Sequence, residues 1–190
     1  MSDRDFIIVV GNQGMGKTVW TIRYLGGFVR RFLYDPVGAY PGFDYRGLDN
    51  LHGGEISPRE RFSIASPFFE DLPILGNLAF SAGNCTITIE ECGTIFRRGE
   101  LIPNWARRLI FMGRHPRVNL ILVAQRAASI PIDIRSQANR IISFRQHETD
   151  DLAALRSTLG LEKARQLPTL NRLECFDWHN GEISRYTVSV

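Results

Sequence analysis

The sequence predicts an α/β fold in which helices flank a mainly parallel central β-sheet. Three short apolar runs, each typical of a buried strand, support this prediction: residues 6–10, 85–89 and 119–124. Glycine or polar residues follow each run directly, as they do at the carboxyl edge of a parallel sheet, where ligands bind. With 190 residues, 44% of them hydrophobic, the chain has the length and composition of one globular domain. We therefore expect a single domain over residues 1–190.

The first strand runs into a glycine-rich loop. Residues 11–18 read Gly-Asn-Gln-Gly-Met-Gly-Lys-Thr and match the P-loop pattern G-x-x-x-x-G-K-S/T. Glycines let successive backbone N–H groups surround a phosphate, and the N-terminus of the following helix adds positive potential. Lys17 is expected to reach the β- and γ-phosphates of a nucleoside triphosphate, and Thr18 to give its hydroxyl to Mg²⁺. The nucleotide-binding residues are assigned as Gly11, Asn12, Gln13, Gly14, Met15, Gly16, Lys17, Thr18 and Val19.

Four further elements are expected between this loop and the second apolar run. A helix is predicted over residues 18–32, because aromatic residues recur there at intervals of four. Residues 41–60 are rich in glycine and proline, which indicates a long loop. Residues 62–65 are a strand candidate, and residues 67–82 are a helical stretch that Pro73 interrupts.

Two adjacent acids follow the second strand. Glu90 and Glu91 come directly after residues 85–89, and neighbouring side chains at a strand end point in different directions. By analogy with hydrolytic P-loop ATPases of the additional-strand type, Glu90 is assigned to the Mg²⁺ shell and Glu91 to polarising the attacking water. Gln125, directly after the third strand, is assigned to sensing the γ-phosphate or holding that water.

A helix is also expected over residues 105–113. Its spacing puts Arg107 and Arg114 on a face that is available to a neighbouring subunit. Three apolar residues form another stripe, which is expected to face the core: Trp105, Leu109 and Met112.

The C-terminal part predicts a helix followed by an antiparallel hairpin. Leucines at three- and four-residue steps favour a helix over residues 149–159, with Thr149 as its cap and Gly160 at its end. The pair Asn180-Gly181 lies between two strand-like stretches and is a strong hairpin signal.

The basic residues are nearly all arginines and are unevenly distributed. Of 23 basic residues only Lys17 and Lys163 are lysines. Between Arg97 and Arg117 there are six arginines and one acid, Glu100. Arginine favours phosphate and carboxylate groups, so an anionic partner is one interpretation and a solvated helix face is the other.

Composition excludes several classes of protein. No apolar run approaches the roughly 20 residues needed to span a bilayer, and the charged start is unlike a secretion signal, so we expect a cytoplasmic protein. Cys85, Cys92 and Cys175 lack the CxxC spacing of zinc or redox sites and are expected to be reduced structural thiols. The four histidines have no metal-ligand spacing.

Four blocks of sequence resemble the FtsK–HerA superfamily of RecA-like P-loop ATPases that pump DNA. They are residues 11–18, 32–40, 85–91 and 113–126. The second block is similar to the superfamily's strand ending in Asp-Pro with a nearby Gly-x-Tyr, and the fourth to its Gly-Arg-Lys pattern leading to Thr-Gln-Arg-Pro. Residues 131–145 resemble the segment that leads into the next strand. In size, the chain most resembles the genome-packaging ATPases of tailless icosahedral viruses with internal membranes.

The resemblance implies an ATPase that uses ATP and Mg²⁺ and forms a homo-oligomeric ring of six subunits. It also implies translocation of double-stranded DNA into a preformed capsid, with capsid or portal vertex proteins as partners, in the host cytoplasm or at the packaging vertex of the virion. Arg114 matches the arginine that reaches the γ-phosphate of the neighbouring subunit. The fallback candidates are Arg135, Arg140 and Arg145. Asp35 is placed near the nucleotide or the water, with a turn-forming role as the alternative.

Arg97 and Arg98, which follow the acidic pair, are candidates for the DNA contacts of such a ring, and contact with DNA or with the adjacent subunit stays open for each arginine of this region. Three departures from the superfamily are visible: Glu90 replaces the usual Asp, Ala39 replaces an acid, and Ala127 replaces the proline of the fourth block. The longer Glu90 side chain can still join the Mg²⁺ shell, so hydrolysis is expected to be retained.

Three other functions stay open at this point. The filamentous-phage assembly ATPases of the Zot type are also similar and imply a cargo of single-stranded DNA or protein. A small-molecule phosphotransferase fits the chain length, and so does a nucleotide-binding switch that barely hydrolyses.

Overall fold

An eight-stranded β-sheet forms the centre of the computed structural model, which describes residues 4–45, 48, 61–97 and 99–189. In chain order the strands are β1 (Phe6–Val10), β2 (Arg30–Tyr34), β3 (Phe62–Ser66), β4 (Cys85–Ile89), β5 (Val118–Ala124), β6 (Arg140–Ser143), β7 (Glu174–His179) and β8 (Glu182–Thr187). The α-helices are α1 (Lys17–Leu25), α2 (Leu72–Ala82), α3 (Cys92–Ile95), α4 (Asn104–Arg107), α5 (Ile132–Arg135) and α6 (Thr149–Gln166). Most of the loop expected over 41–60, together with Arg98, lies outside the described residues.

The strand order is β3-β2-β4-β5-β1-β6-β7-β8. The first six strands of this order are parallel, and β7 and β8 add an antiparallel extension at one side. Strand β5 lies between β1 and β4, so the strand that carries the P-loop is separated by one strand from the one that carries the acids. The predicted parallel α/β sheet with a C-terminal antiparallel hairpin is thereby confirmed.

Both faces of the sheet are covered, which explains why the central strands read as continuous apolar runs. Every residue of β1 is buried, and alternate side chains enter two different hydrophobic clusters. Ile8 and Val10 pack in the cluster that includes residues of α2 and α6, whereas Ile7 and Val9 pack in the one that includes Trp20 of α1. The parallel strands thus end at one common edge, and it is this edge that collects the polar residues following β1, β4 and β5.

The helix after the P-loop is shorter than the predicted 18–32. Helix α1 ends at Leu25, the chain turns at Gly26 and Gly27, and β2 begins at Arg30. Phe32 is therefore a fully buried strand residue. The prediction was wrong because the four-residue spacing of aromatic side chains happens to continue across the turn, and two glycines were not enough to separate the elements in the sequence.

Pro73 does not interrupt a helix. A short 3₁₀ turn covers Phe69–Asp71, and α2 then begins at Leu72, which puts Pro73 in its first turn. Proline is well tolerated there, because the N–H it lacks has no intrahelical partner in any case. The predicted strand over 62–65 is confirmed as β3 (Phe62–Ser66).

The predicted helix over 105–113 is present with a different register. Helix α4 continues into a five-residue π-helical turn, Arg108–Met112. Trp105 and Leu109 are buried as predicted, but Met112 is 50% exposed and Ile110 is buried in its place. A π turn holds more residues than an α turn, and it rotates the residues after Leu109 away from the expected stripe.

The C-terminal elements largely follow the prediction. Helix α6 begins at Thr149 and breaks at Gly160, whose φ is 77°, but a second helical segment continues to Gln166. Glu148, not Thr149, occupies the N-cap position, and no side chain caps this helix. The hairpin at Asn180-Gly181 is confirmed: both residues have positive φ, as the tight turn between β7 and β8 requires.

Candidate nucleotide-binding site

The P-loop connects β1 to α1 at the carboxyl edge of the sheet. Gly14 and Gly16 have φ of 74° and 119°, values that favour glycine. A Cβ at Gly16 would lie 2.7 Å from Cδ2 of Leu173, and the Leu173 N–H donates to the Met15 carbonyl over 2.8 Å. The segment that leads into β7 therefore packs directly against the loop, which explains why the third glycine of the motif cannot carry a side chain.

The other end of the loop is anchored on the chain after β6. The Asn12 N–H donates to the Arg145 carbonyl over 2.9 Å, and the Phe144 N–H donates to the Val10 carbonyl over 2.8 Å. A Cβ at Gly11 would lie 2.5 Å from the Cβ of Phe144. Gln13 and Gly14 are exposed, whereas Met15 is buried. The loop is thus held at both ends while its outer part faces solvent.

Lys17 crosses the loop it follows. Its Nζ donates to the carbonyls of Gly11, over 2.7 Å, and Asn12, over 3.1 Å. Burial lowers the pKa of Lys17, and the carboxylates of Glu90 and Glu91 oppose that effect. The two predicted acids are therefore close enough to act on the predicted phosphate-binding cation.

Helix α1 orients the residues that follow Lys17. Thr18 and Val19 lie in its first turn and are partly exposed. Thr21, which is fully buried, donates through its hydroxyl to the Lys17 carbonyl over 3.0 Å. The first turn of α1 thus follows the P-loop directly, and helix N-termini favour negatively charged groups such as phosphates.

Glu90 is the first residue after β4 and is only 8% exposed. Its Oε1 accepts a hydrogen bond from the hydroxyl of Tyr40, and its N–H donates to the Tyr34 carbonyl over 3.0 Å. Burial raises the pKa of Glu90, as do the nearby carboxylates of Asp35 and Glu91, while Tyr40 and Lys17 act in the opposite direction. Tyr40 carries no assigned role in the sequence analysis, although it lies in one of the blocks that carry the resemblance.

Glu91 and Gln125 are in direct contact. The Nε2 of Gln125 donates to Oε1 of Glu91 over 3.0 Å. Glu91 has a φ of 49°, a conformation that is uncommon for a residue with a side chain and that concentrates at functional sites. Glu91 is partly exposed, whereas Glu90 is buried. Their roles in catalysis stay predictions.

The sequence analysis missed a layer of residues behind Gln125. Gln146 is completely buried, and its Nε2 donates to the Gln125 carbonyl over 3.1 Å. Arg126 donates through Nε to Asp151 over 3.1 Å, and the second oxygen of that buried carboxylate accepts the Ala128 N–H over 2.8 Å. A glutamine after a strand end and an aspartate in a helix carry no sequence signal that would pair them with Gln125.

Asp35 holds a turn together. It is 1% exposed, and its carboxylate accepts the N–H groups of Val37, over 3.1 Å, and Ala39, over 2.6 Å, and the hydroxyl of Tyr45, over 2.6 Å. These contacts fit the turn-forming alternative. Asp35 also lies near enough to Glu90 to raise its pKa, so it is part of the acidic end of the site.

Arg114 lies at the other edge of the sheet. It precedes β5, on the turn whose Gly113 carbonyl accepts the Val118 N–H over 2.9 Å, whereas Gln125 follows the end of the same strand. A seven-residue strand spans roughly 23 Å, so Arg114 is far from the P-loop of its own chain. Any contact of Arg114 with a nucleotide requires a second chain, and that role stays a prediction.

The fallback arginines have partners within the chain. Arg140 forms a two-point pair with Asp177 over 3.0 and 2.6 Å, and Arg135 donates to the Ala154 carbonyl over 2.8 Å. Arg145 donates through Nε to the Leu170 carbonyl over 2.6 Å. Arg97 is exposed and lies 3.8 Å from Glu100, a separation that contributes little to stability.

The donor set fits a nucleotide with Mg²⁺. Gly11 and Gly16 leave no room for side chains where the loop backbone must turn, and Lys17 lies at its centre. Within the described residues no group of three or more His, Cys, Asp or Glu could hold a metal ion. Mg²⁺ is commonly held by one or two protein oxygens plus phosphates, so a nucleotide site needs no larger group of protein ligands. The assignment of Thr18 and Glu90 to Mg²⁺ stays a prediction.

The cysteines agree with the prediction of reduced structural thiols. Cys85, Cys92 and Cys175 are buried free thiols, and burial raises the pKa of the Cys85 thiol to about 12. Across the described residues, none of the helices combines the length and the apolar composition that crossing a bilayer demands.

Fold and site together define a RecA-like P-loop NTPase domain with an additional strand between the P-loop strand and the acidic strand. No protein-family model matches the sequence, and no curated protein matches it either. Solved structures do match over essentially the whole chain.

One matching structure is the genome packaging NTPase B204 from Sulfolobus turreted icosahedral virus 2 in complex with ATP-gammaS. Its TM-score is 0.80 at 20% sequence identity, and the alignment covers 100% of both chains. VirB4 of Thermoanaerobacter pseudethanolicus has a TM-score of 0.68 at 9% identity, over 97% of this chain and 89% of that one. The N-terminal domain of zonular occludens toxin from Neisseria meningitidis has a TM-score of 0.53 at 12% identity, over 99% and 96%. At these identities the similarity establishes a shared fold.

Proposed function

We propose that this chain hydrolyses ATP and couples hydrolysis to the movement of double-stranded DNA, packaging a viral genome into a preformed capsid. The observation that carries the hydrolytic part is the contact between Gln125 and Glu91 beside Lys17. A carboxylate held by an amide at the end of a neighbouring strand can orient a water and accept its proton.

The residues divide the work of hydrolysis. Lys17 binds the β- and γ-phosphates and offsets the charge that develops on the transferred group. Gln125 holds Oε1 of Glu91, which leaves Oε2 to accept a proton from the attacking water. Thr18 and Glu90 would hold Mg²⁺, which when bound neutralises charge on the phosphates. The reaction converts ATP and water into ADP and phosphate, with the proton of the water passing to Glu91.

The coupling to DNA rests on the full-length similarity to a protein described as a genome packaging NTPase. The excess of arginine between residues 97 and 117 suits a polyanionic cargo. We also propose a homo-oligomeric ring, a hexamer by resemblance, in which Arg114 of one subunit completes the site of the next. In this arrangement the protein would act in the host cytoplasm, at the packaging vertex, against capsid or portal proteins.

The test is ATP turnover by the purified protein with and without linear double-stranded DNA, beside Glu91→Gln and Arg114→Ala. Glu182→Gln and Arg156→Ala are matched controls, because each removes an exposed charge of the same kind away from the site. The proposal is supported if duplex DNA stimulates turnover of the wild type and of both controls but not of the two test variants. Turnover that ignores DNA and survives Glu91→Gln contradicts both the motor and the role of Glu91.

The similarity to zonular occludens toxin favours one second candidate, a Zot-type assembly or secretion ATPase acting on single-stranded DNA or protein. Single-stranded DNA of the same length and sequence, added in a parallel assay, separates the two. Stimulation by single strands alone favours the Zot-type function. Transfer of phosphate to a nucleoside would instead favour the phosphotransferase. Binding of ATP without turnover would favour the nucleotide-binding switch.

A further inference from the structure

Tyr40 is a buried tyrosine whose hydroxyl donates a hydrogen bond to an acidic residue of the site. It is 3% exposed, and its ring packs in the hydrophobic cluster on the α1 side of the sheet, with Phe43 edge-on at 6.3 Å. The hydroxyl donates to Oε1 of Glu90, which is 8% exposed. A hydrogen bond between two buried groups, one of them a carboxylate, is among the stronger interactions a side chain can make.

The hydroxyl of Tyr40 lies near α1 as well as Glu90. The Thr21 side chain on α1 is close enough to this hydroxyl to lower the pKa of Tyr40. Thr21 itself donates to the carbonyl of Lys17, the residue that precedes Thr18. Tyr40 therefore lies between the helix that carries one expected Mg²⁺ ligand and the strand end that carries the other.

The loop that carries Tyr40 is itself held in place. Asp35 accepts the N–H groups of Val37 and Ala39 and the hydroxyl of Tyr45 from a position that is 1% exposed. Three hydrogen bonds on one carboxylate fix the path of the chain from the end of β2 to Tyr40. A preorganised turn consequently positions the hydroxyl of Tyr40 beside Glu90.

A glutamate at this position needs such support. Glutamate has one more methylene group and one more rotatable bond than aspartate, so its carboxylate samples more positions. A hydrogen bond on Oε1 removes that freedom and leaves Oε2 as the available acceptor. We propose that Tyr40 is a positioning residue that orients Glu90, so that Oε2 alone faces the side where Mg²⁺ would be held. This inference rests on the proposed ATPase function.

The first test is Tyr40→Phe, which removes the hydroxyl and keeps the ring in its cluster. We expect about a tenfold rise in the Mg²⁺ concentration that gives half-maximal turnover. Binding of a non-hydrolysable ATP analogue should weaken in Mg²⁺ and stay unchanged in EDTA, which is a readout independent of turnover. The matched control is Tyr24→Phe, because that hydroxyl also donates to a carboxylate, Asp5, far from the site.

The second test is a double-mutant cycle with Glu90→Asp. The shorter side chain cannot reach Tyr40 and Mg²⁺ together, so Tyr40→Phe should have no further effect in that background. An equal effect of Tyr40→Phe in both backgrounds overturns the inference, since Tyr40 would then act through the fold alone. Wild-type Mg²⁺ dependence in Tyr40→Phe also overturns it while leaving the ATPase intact. A wild-type protein that does not hydrolyse ATP refutes the proposed function itself.

Discussion

The side-chain amide of Gln125 donates to the carboxylate of Glu91 over 3.0 Å, across 34 residues of chain. The contact follows from the sheet: β4 and β5 are parallel neighbours, and Ile89 pairs with Leu122. Residues that follow two paired strands must meet at the same edge. The contact between Gln125 and Glu91 is thus made by two strand ends that are distant in sequence.

Gln125→Ala should lower kcat by about 10- to 100-fold and change the KM for ATP little, because the amide orients Glu91 and not the nucleotide. Steady-state kinetics measures both constants. Gln137→Ala is the control, since the side chain of this exposed glutamine donates to its neighbour Ser136, over 3.4 Å. An unchanged kcat in Gln125→Ala would remove Gln125 from the catalytic arrangement.

Lys17→Ala should weaken nucleotide binding by about 100-fold, because a charge-assisted contact with the phosphates is lost. Isothermal titration calorimetry with a non-hydrolysable analogue measures the affinity. Lys163→Ala removes the other lysine of the chain and should bind normally. Equal binding by Lys17→Ala and the wild type would contradict the assignment of the P-loop as the phosphate site.

Gly16→Ala should destabilise the fold by about 1–3 kcal/mol and abolish nucleotide binding, since it combines a positive φ of 119° with a Cβ 2.7 Å from Leu173. Urea denaturation measures the free energy of unfolding. Gly27→Ala is matched, because its nearest contact would be an ordinary 3.6 Å and its φ is not positive. If Gly16→Ala were as stable and as active as Gly27→Ala, the packing of Leu173 on the loop would be wrong.

Glu90→Gln should raise Tm at neutral pH while it impairs Mg²⁺-dependent turnover. Burial raises the pKa of Glu90 in the folded protein, so the fold binds a proton that the unfolded chain has already lost. Stability therefore falls as the pH rises from the ordinary glutamate pKa of about 4.3 through the raised one. The advantage of the variant in Tm should disappear below that window. A Tm difference that does not depend on pH would show that another effect dominates.

Mixing two inactive variants should restore turnover if Arg114 acts on a neighbouring subunit. In mixed rings of Glu91→Gln and Arg114→Ala subunits, some sites combine an intact Glu91 from one chain with an intact Arg114 from the next. Turnover of the mixture should exceed that of either variant alone. A mixture with no more activity than its components, although mixed rings are detected by mass spectrometry, would exclude the trans role.

Local signals in the sequence were sufficient for most of the fold. The β1 strand, the P-loop and the strand over Cys85–Ile89 each combine a short apolar run with a chemically distinctive end, and all were predicted. Predictions failed where periodicity alone was used. The four-residue spacing that ran past Leu25 and the stripe that put Met112 in the core both assumed a regular helix, and the chain formed a turn and a π-helical segment instead.

The phosphate-binding loop after a buried strand, and the two acids and the glutamine after two others, could be predicted from the sequence, because strand ends and glycine spacing are local properties of the chain. The way in which these groups are held could be seen in the folded protein alone: Tyr40 on Glu90, Asp35 on the turn that carries Tyr40, and Arg114 at the opposite edge from Lys17. Such relationships depend on which strands are neighbours in the sheet and on which loops pack over its edge. These are long-range contacts that no spacing within the chain encodes.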